Sequence, residues 1–326
     1  MSLESDVIVD RRRMRRKLTF WRVAAVFVAV AAVVAVGAIA TRSGPDVLAG
    51  SGSIARIKIE GLIRSDNDRV EALERLEKSS AAAVVVHINS PGGTTAGSEQ
   101  LYDALTRLKA KKPMVVVVEG LAASGGYIAA IASDHIVAQQ SSLVGSIGVL
   151  FQFPNFSGLM KTVGVQVEEV KSSPLKAAPN GFEPTSPEAR AALESLVKDS
   201  YAWFRGLVQN RRGMDDGLLD RVADGRVFTG RQAVDLRLID QLGDEKTAVA
   251  WLVSEKKIKS DLPVRDFKLA PKFGDLTFLR AAASITLDAV GLGGVARQLE
   301  QVGLAQAMDR FGLDGMLALW RPAGPN

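Results

Sequence analysis

The sequence predicts an α/β fold with a largely parallel sheet. Three observations predict it: apolar runs of strand length recur, helical periodicities separate them, and glycine-rich turns follow the strands. Arg56-Ile57-Lys58-Ile59-Glu60 alternates with period two, as a strand with one wet face does. Asp66 to Lys78 then sets Val70, Leu73 and Leu76 on one helical face. Ala82 to Ile88 is a strand covered on both faces, because its apolar run barely alternates. Leu101, Leu105 and Leu108 mark a second helix, and Met114 to Val118 a second buried strand. A helix starts near Ser124, strands follow near Ile136 and Val144, and Val165 to Val170 reads as a further strand. Pro187 to Arg211, Gly230 to Leu236 and Glu245 to Lys256 read as helices. Past Asp261 the pattern changes: Phe267 to Phe278 is mixed, and Leu299 to Leu319 is expected to form one or two amphipathic helices.

Ahead of this domain lies a different kind of segment. Val23 to Ala40 is 18 consecutive residues drawn only from Val, Ala, Phe, Gly and Ile. As a helix it is about 27 Å long, close to the ~30 Å hydrocarbon core of a bilayer. It has no polar face, so a buried core helix is a poor alternative. Seven Lys or Arg precede it against three acids, and only Arg42 lies just after it. The positive-inside rule therefore puts the N-terminus in the cytoplasm and everything from Thr41 onward outside. A cleaved signal peptide is the rival, since Ala38-Ile39-Ala40 has the small-x-small form of a cleavage site. The apolar stretch exceeds the usual ~7–15 residue core of such peptides, which favours an uncleaved anchor.

The organisation that follows is a basic cytoplasmic arm (1–22), a transmembrane helix (23–41), a linker (42–52), a main domain (53–260) and a C-terminal extension for assembly or packing (261–326). The net charge of +5 belongs mostly to the arm, so the charge is not a nucleic-acid-binding face. The chain has no cysteine, which excludes thiol catalysis, disulfides and cysteine-ligated metal. His87 and His135 are the only histidines, so a histidine-rich metal site is excluded too. Neither metal nor cofactor is expected.

Three glycine-rich elements follow predicted strands. Asn89-Ser90-Pro91-Gly92-Gly93 is either an ordinary tight turn or a place where backbone N–H groups reach a cleft and hold a developing oxyanion. Ala122-Ala123-Ser124-Gly125-Gly126-Tyr127 offers a serine among small neighbours at a strand-to-helix turn, with Gly125 as a further N–H. It departs from the Gly-x-Ser-x-Gly elbow, because Ala122 holds the first glycine's place, and a helix-capping serine is the commoner use of such a residue. In Gly145-Ser146-Ile147-Gly148-Val149, Ser146 is either a partner for a catalytic group or a loop residue. A hydroxyl nucleophile needs a base. His87 and His135 are not excluded, though structural roles are favoured for both, and a lysine serves if burial lowers its pKa from ~10.4 towards ~7–8. Lys171 and Lys176 both lie in a Ser/Pro-rich loop, and physical reasoning alone does not choose between them.

Five motifs in order, behind one anchor, resemble the signal peptide peptidase A family, membrane serine proteases with a Ser/Lys dyad and a ClpP/crotonase-like fold. They are the three elements above, then Lys171-Ser172-Ser173-Pro174-Leu175-Lys176 and Ala223-Asp224-Gly225-Arg226-Val227-Phe228-Thr229-Gly230. The resemblance covers about Ile54 to Gly243 and is to the short, single-domain form. It implies Ser124 as nucleophile, Lys176 as base, Ser146 as the residue orienting the lysine, and Gly92, Gly93 and Gly125 around the oxyanion. It implies apolar peptide substrates such as cleaved signal peptide remnants, a homo-oligomer with sites built across subunit contacts, and residence in the bacterial cytoplasmic membrane. Two departures stand out: Thr94 follows the glycine pair where a small residue is common, and Ala177-Ala178-Pro179 follows Lys176 where a polar residue is common. A crotonase-type acyl-CoA enzyme is disfavoured, because acyl-CoA is cytoplasmic and the anchor exports the domain. A catalytically silent membrane scaffold is the other alternative, disfavoured by retention of both dyad positions.

Overall fold

The structure is a computed structural model that describes residues 52–269 and the short strand Leu317–Leu319. The arm and the apolar segment 23–41 lie outside the described residues. Among the described residues no helix is long and apolar enough to cross a membrane.

The spine is a sheet of β1 (Ile54–Ile63), β2 (Ala83–Thr94) and β3 (Met114–Ala123), all parallel. β3 continues to β4 (His135–Ala138) and β5 (Leu143–Gly145), both parallel to it. The edges are β6 (Val227–Thr229), antiparallel to β5, β7 (Gln241–Leu242), parallel to β4, and β8 (Val264–Asp266), parallel to β1. β9 (Leu317–Leu319) runs antiparallel to the end of β2. The α/β reading with a largely parallel sheet is therefore what the chain adopts.

The long central strands lie in the middle because both of their faces are apolar. Val84, Val86 and Ile88 enter one buried cluster, and Val85 enters the other, with Val115, Val117 and Leu252. On the first face pack α1 (Asn67–Lys78) and α2 (Thr95–Lys111). α1 is capped by the Asp66 side chain, which accepts from the Arg69 N–H, and buries Ala72, Leu73 and Leu76 at helical spacing. Thr94 ends β2 and caps α2 through the Gly97 N–H, so strand and helix join without a loop. Replacing fully buried Leu105 in α2 by alanine is expected to cost about 2–5 kcal/mol, read as a lower urea midpoint.

Six further helices follow: α3 (Gly125–Ala130), α4 (Ser157–Val163), α5 (Pro187–Arg212), α6 (Asp216–Val222), α7 (Gly230–Asp235) and α8 (Glu245–Lys256). α8 covers the second face through Ala248 and Leu252. Its first residue, Glu245, is gripped by Arg56 of β1 through two hydrogen bonds of 2.5 and 2.6 Å.

Two expectations fail. Val165 to Val170 forms no strand, and its apolar residues are exposed. An apolar run makes a strand only where a neighbouring backbone accepts its hydrogen bonds, and among the described residues no strand pairs with this segment. Leu317–Leu319, expected in a helix, is a strand, because the end of β2 offers it an unpaired edge. The rest of residues 299–319 lies outside the described residues.

Candidate active site

The ends of β2, β3 and β5 converge, and their glycine-rich turns lie at one level. Ser90 pairs with Ala122 and Ala123 pairs with Gly145. Gly92 and Gly93, Ser124, and Ser146 therefore follow at similar distances beyond the paired residues. Topology brings together three elements that the sequence separates by some twenty to thirty residues each.

Ser124 sits where β3 turns into α3, at φ 54° and ψ −117°. A residue with a Cβ adopts this left-handed region at a cost on the order of 1–3 kcal/mol, and such strain clusters at functional turns. The turn is held from both sides. The Ser124 N–H donates to the Gly145 carbonyl at 2.8 Å, and the Ser124 carbonyl accepts from the N–H groups of Tyr127 and Ile128 at 2.9 and 3.0 Å. Ser124 occupies the N-cap position of α3, yet its side chain makes no capping hydrogen bond. The Oγ is buried and has no hydrogen-bond partner among the described residues. A capping serine would satisfy itself locally, so that reading fails.

Small residues at this turn are a packing requirement. A Cβ on Gly126 would lie 2.6 Å from the Ser90 carbonyl oxygen, so α3 packs directly against the β2 backbone. Tyr127 anchors the first turn of α3: it is fully buried and its hydroxyl donates to the Leu238 carbonyl at 2.8 Å. Burial pushes its pKa above the usual tyrosine range.

The glycine pair is equally constrained. Gly92 has φ 97°, and its N–H donates to the Ser90 hydroxyl at 3.1 Å. A Cβ on Gly93 would lie 1.7 Å from the Ile63 carbonyl oxygen, so no other residue fits there. β9 lies against this pair, with Gly92 opposite Leu319, Gly93 opposite Ala318 and Thr94 opposite Leu317. Ser146 is nearly buried, has φ 52°, and its N–H donates to the Arg226 carbonyl at 2.8 Å. The fifth motif thereby supports the third.

Neither Lys171 nor Lys176 forms a hydrogen bond or ion pair with this cluster among the described residues, and the two differ from each other. Lys171 is ion-paired with Glu169 and, at 2.7 Å, with Glu183. Those two hydrogen bonds, Glu169 first, raise its pKa above the ordinary lysine value and hold its proton. Lys176 is exposed on the same loop, its backbone N–H donating to the Ser173 carbonyl. Within the single chain the structure shows no hydrogen bond from Lys176 to Ser124, whose Oγ has no partner among the described residues. Around Lys176 the segment from 150 to 182 exposes Phe151, Phe156, Leu159, Val163, Val170 and Leu175.

Neither histidine serves the serine. The two ring nitrogens of His87 lie 2.6 Å from Glu119 and 2.6 Å from Glu245, and His135 stacks on Trp251. Ser90 is the residue that sequence reasoning passed over: it stood in a quoted motif without a role. A serine two positions before a glycine pair was the available signal.

The model of peptidase family S49 matches residues 106–259, and the Clp protease model matches residues 59–142. The second match agrees with the ClpP-like, mostly parallel arrangement of β1 to β4. Over 200 residues the chain is 36% identical to the Synechocystis sp. protein slr0021, which is named as a protease; the match takes in 61% of this chain and 72% of that one. It is 33% identical over 198 residues to an Enterococcus faecium protein named for signal peptide peptidase SppA, covering 60% of this chain and 57% of the relative. It is 31% identical over 226 residues to the chloroplastic serine protease SPPA of Arabidopsis thaliana, covering 67% of this chain and 32% of that protein. The chain thus spans under two thirds of the second and third of these relatives.

Proposed function

The chain belongs to peptidase family S49, the signal peptide peptidase A family of serine proteases, and from that premise we propose an endopeptidase with a Ser124/Lys176 dyad completed between two copies of the chain. The observation that carries the proposal is the Ser124 hydroxyl: buried, on a strained turn, and without a partner among the described residues. A nucleophile needs a base within hydrogen-bond reach, so the base comes from elsewhere. Lys176 suits the role because it is exposed on an arm whose apolar residues also need cover, and a second copy supplies both. Lys171 suits it poorly, since Glu169 and Glu183 keep it charged.

In the reaction, neutral Lys176 accepts the Ser124 proton as Oγ attacks the peptide carbonyl carbon. Gly93 and Gly125 are the backbone donors proposed for the oxyanion, and Ser146 orients the lysine. The proton passes to the departing amine, and water, deprotonated by the same lysine, hydrolyses the acyl-enzyme. An extended backbone already lies antiparallel along Gly92 to Thr94, which supports a groove that takes peptides as an added strand. The proposed substrates are apolar peptides at the membrane, such as cleaved signal peptide remnants. Residues 23–41 anchor the chain in the bacterial cytoplasmic membrane, with the N-terminus cytoplasmic and the domain outside. Resistance to alkaline carbonate extraction, and digestion of the domain by protease added to spheroplasts, are the expected signatures.

Subunit mixing tests the dyad. Ser124→Ala and Lys176→Ala are each expected to be inert on an apolar peptide, while coexpressed they regain a fraction of wild-type turnover. Lys171→Ala is expected to stay active. An active Lys176→Ala beside an inert Lys171→Ala overturns the assignment of the base, and inert mixtures overturn the shared site.

A further inference from the structure

Ser90 lies at the junction of the two halves of the proposed machinery, and its hydroxyl answers two backbone groups that the strands leave over. β1 and β2 lose register between Glu60 and Leu62, which takes Gly61 out of the ladder. The Ser90 hydroxyl donates to the Gly61 carbonyl at 2.7 Å. At the same level β2 and β3 lose register between Ile88 and Ser90, and Gly92 turns with φ 97°. The same Ser90 oxygen accepts the Gly92 N–H at 3.1 Å. On its other side the Ser90 backbone carbonyl abuts Gly126, two residues beyond Ser124. Ser90 is fully buried, so water does not substitute for its hydroxyl.

Resting on the protease reading above, we infer that Ser90 is a positioning residue that sets the Gly92–Gly93 turn against Ser124. One hydroxyl, donor to Gly61 and acceptor from Gly92, ties β1 at the register break to the glycine turn. The backbone contact with Gly126 ties that turn to the helix carrying Ser124. Oxyanion donors stabilise a transition state only when their geometry is preset, and a displacement near 1 Å costs on the order of 10²-fold in rate. Ser90 touches neither substrate nor reacting atoms. Its removal acts on the transition state more than on substrate binding, because extended peptide is held by the strand edge.

The test compares wild type with Ser90→Ala, and with Ser90→Cys where alanine does not fold, since a thiol keeps the side chain's shape with a much weaker hydrogen bond. The expected variant melts cooperatively and loses kcat by about 10²-fold with KM within about twofold. Its affinity for a peptide aldehyde, which forms a tetrahedral adduct on the serine, falls by the same factor as kcat/KM. A folded variant whose kcat and aldehyde affinity stay within about threefold of wild type overturns the inference. So does one that loses substrate and aldehyde binding equally, as general loosening of the fold would cause. A wild type that neither takes up a fluorophosphonate nor cleaves peptide overturns the protease reading itself, and this inference with it.

Discussion

Ser124→Ala is expected to abolish fluorophosphonate labelling and to cut peptide turnover by a factor that reaches about 10⁶ where a nucleophile is lost outright. The hydroxyl has no role in the fold to confuse the result. It caps no helix and bonds to none of the described residues, while the backbone on either side is held by Gly145, Tyr127 and Ile128. Alanine keeps the same left-handed strain, so stability should barely move. Ser124→Gly separates the two properties further. Glycine adopts φ 54° without penalty, so this variant is expected to be equally inert yet more stable by about 1 kcal/mol. For a domain of this size that is a rise of roughly 2–4 °C in Tm. Calorimetry and labelling on the same samples check both halves. Residual labelling of Ser124→Ala would move the nucleophile elsewhere, and an unchanged Tm for Ser124→Gly would remove the strain from the account of this turn.

Gly93→Ala is expected to prevent folding of the domain. The added methyl would sit 1.7 Å from the Ile63 carbonyl oxygen and 2.7 Å from the Ile63 nitrogen, both backbone atoms that rotamer changes do not move. Relief requires separating β1 from β2, whose pairing runs from Ile54 to Ile63 against Ala83 to Gly93. Costs above about 4–5 kcal/mol are exceptional for one substitution, and a domain stable by ~5–15 kcal/mol loses much of its margin. Insoluble expression or rapid limited proteolysis is the expected readout. Gly206→Ala is the control: it lies in α5 with no atom near an added methyl, and alanine is the better helix former by about 1 kcal/mol. It should fold as well as wild type or better. A folded, active Gly93→Ala would show that the β1–β2 edge yields.

The sequence alone was enough for the sheet, and it singled out the serine on which the proposal rests. Ala82 to Ile88 and Met114 to Val118 are too uniformly apolar to be anything but covered strands, and helical spacings between them require parallel crossovers. Ser124 stood out by its small neighbours at a strand-to-helix turn, and the resemblance chose a nucleophile over the commoner helix cap. Lys176 was chosen only through resemblance, and among the described residues nothing joins it to Ser124, because its loop is exposed. Tertiary structure alone decided four matters. Val165 to Val170 reads as a strand but pairs with none of the described strands, since pairing depends on which backbone lies alongside. Leu317–Leu319 is a strand for the converse reason: the edge at Gly92 to Thr94 was free to receive it. His87 is committed to Glu119 and Glu245, the second more than 150 positions away in the chain. Ser90 reaches Gly61 across a register break that no local pattern announces. Period and composition report which faces are buried, whereas partners distant in sequence are chosen by how the strands end.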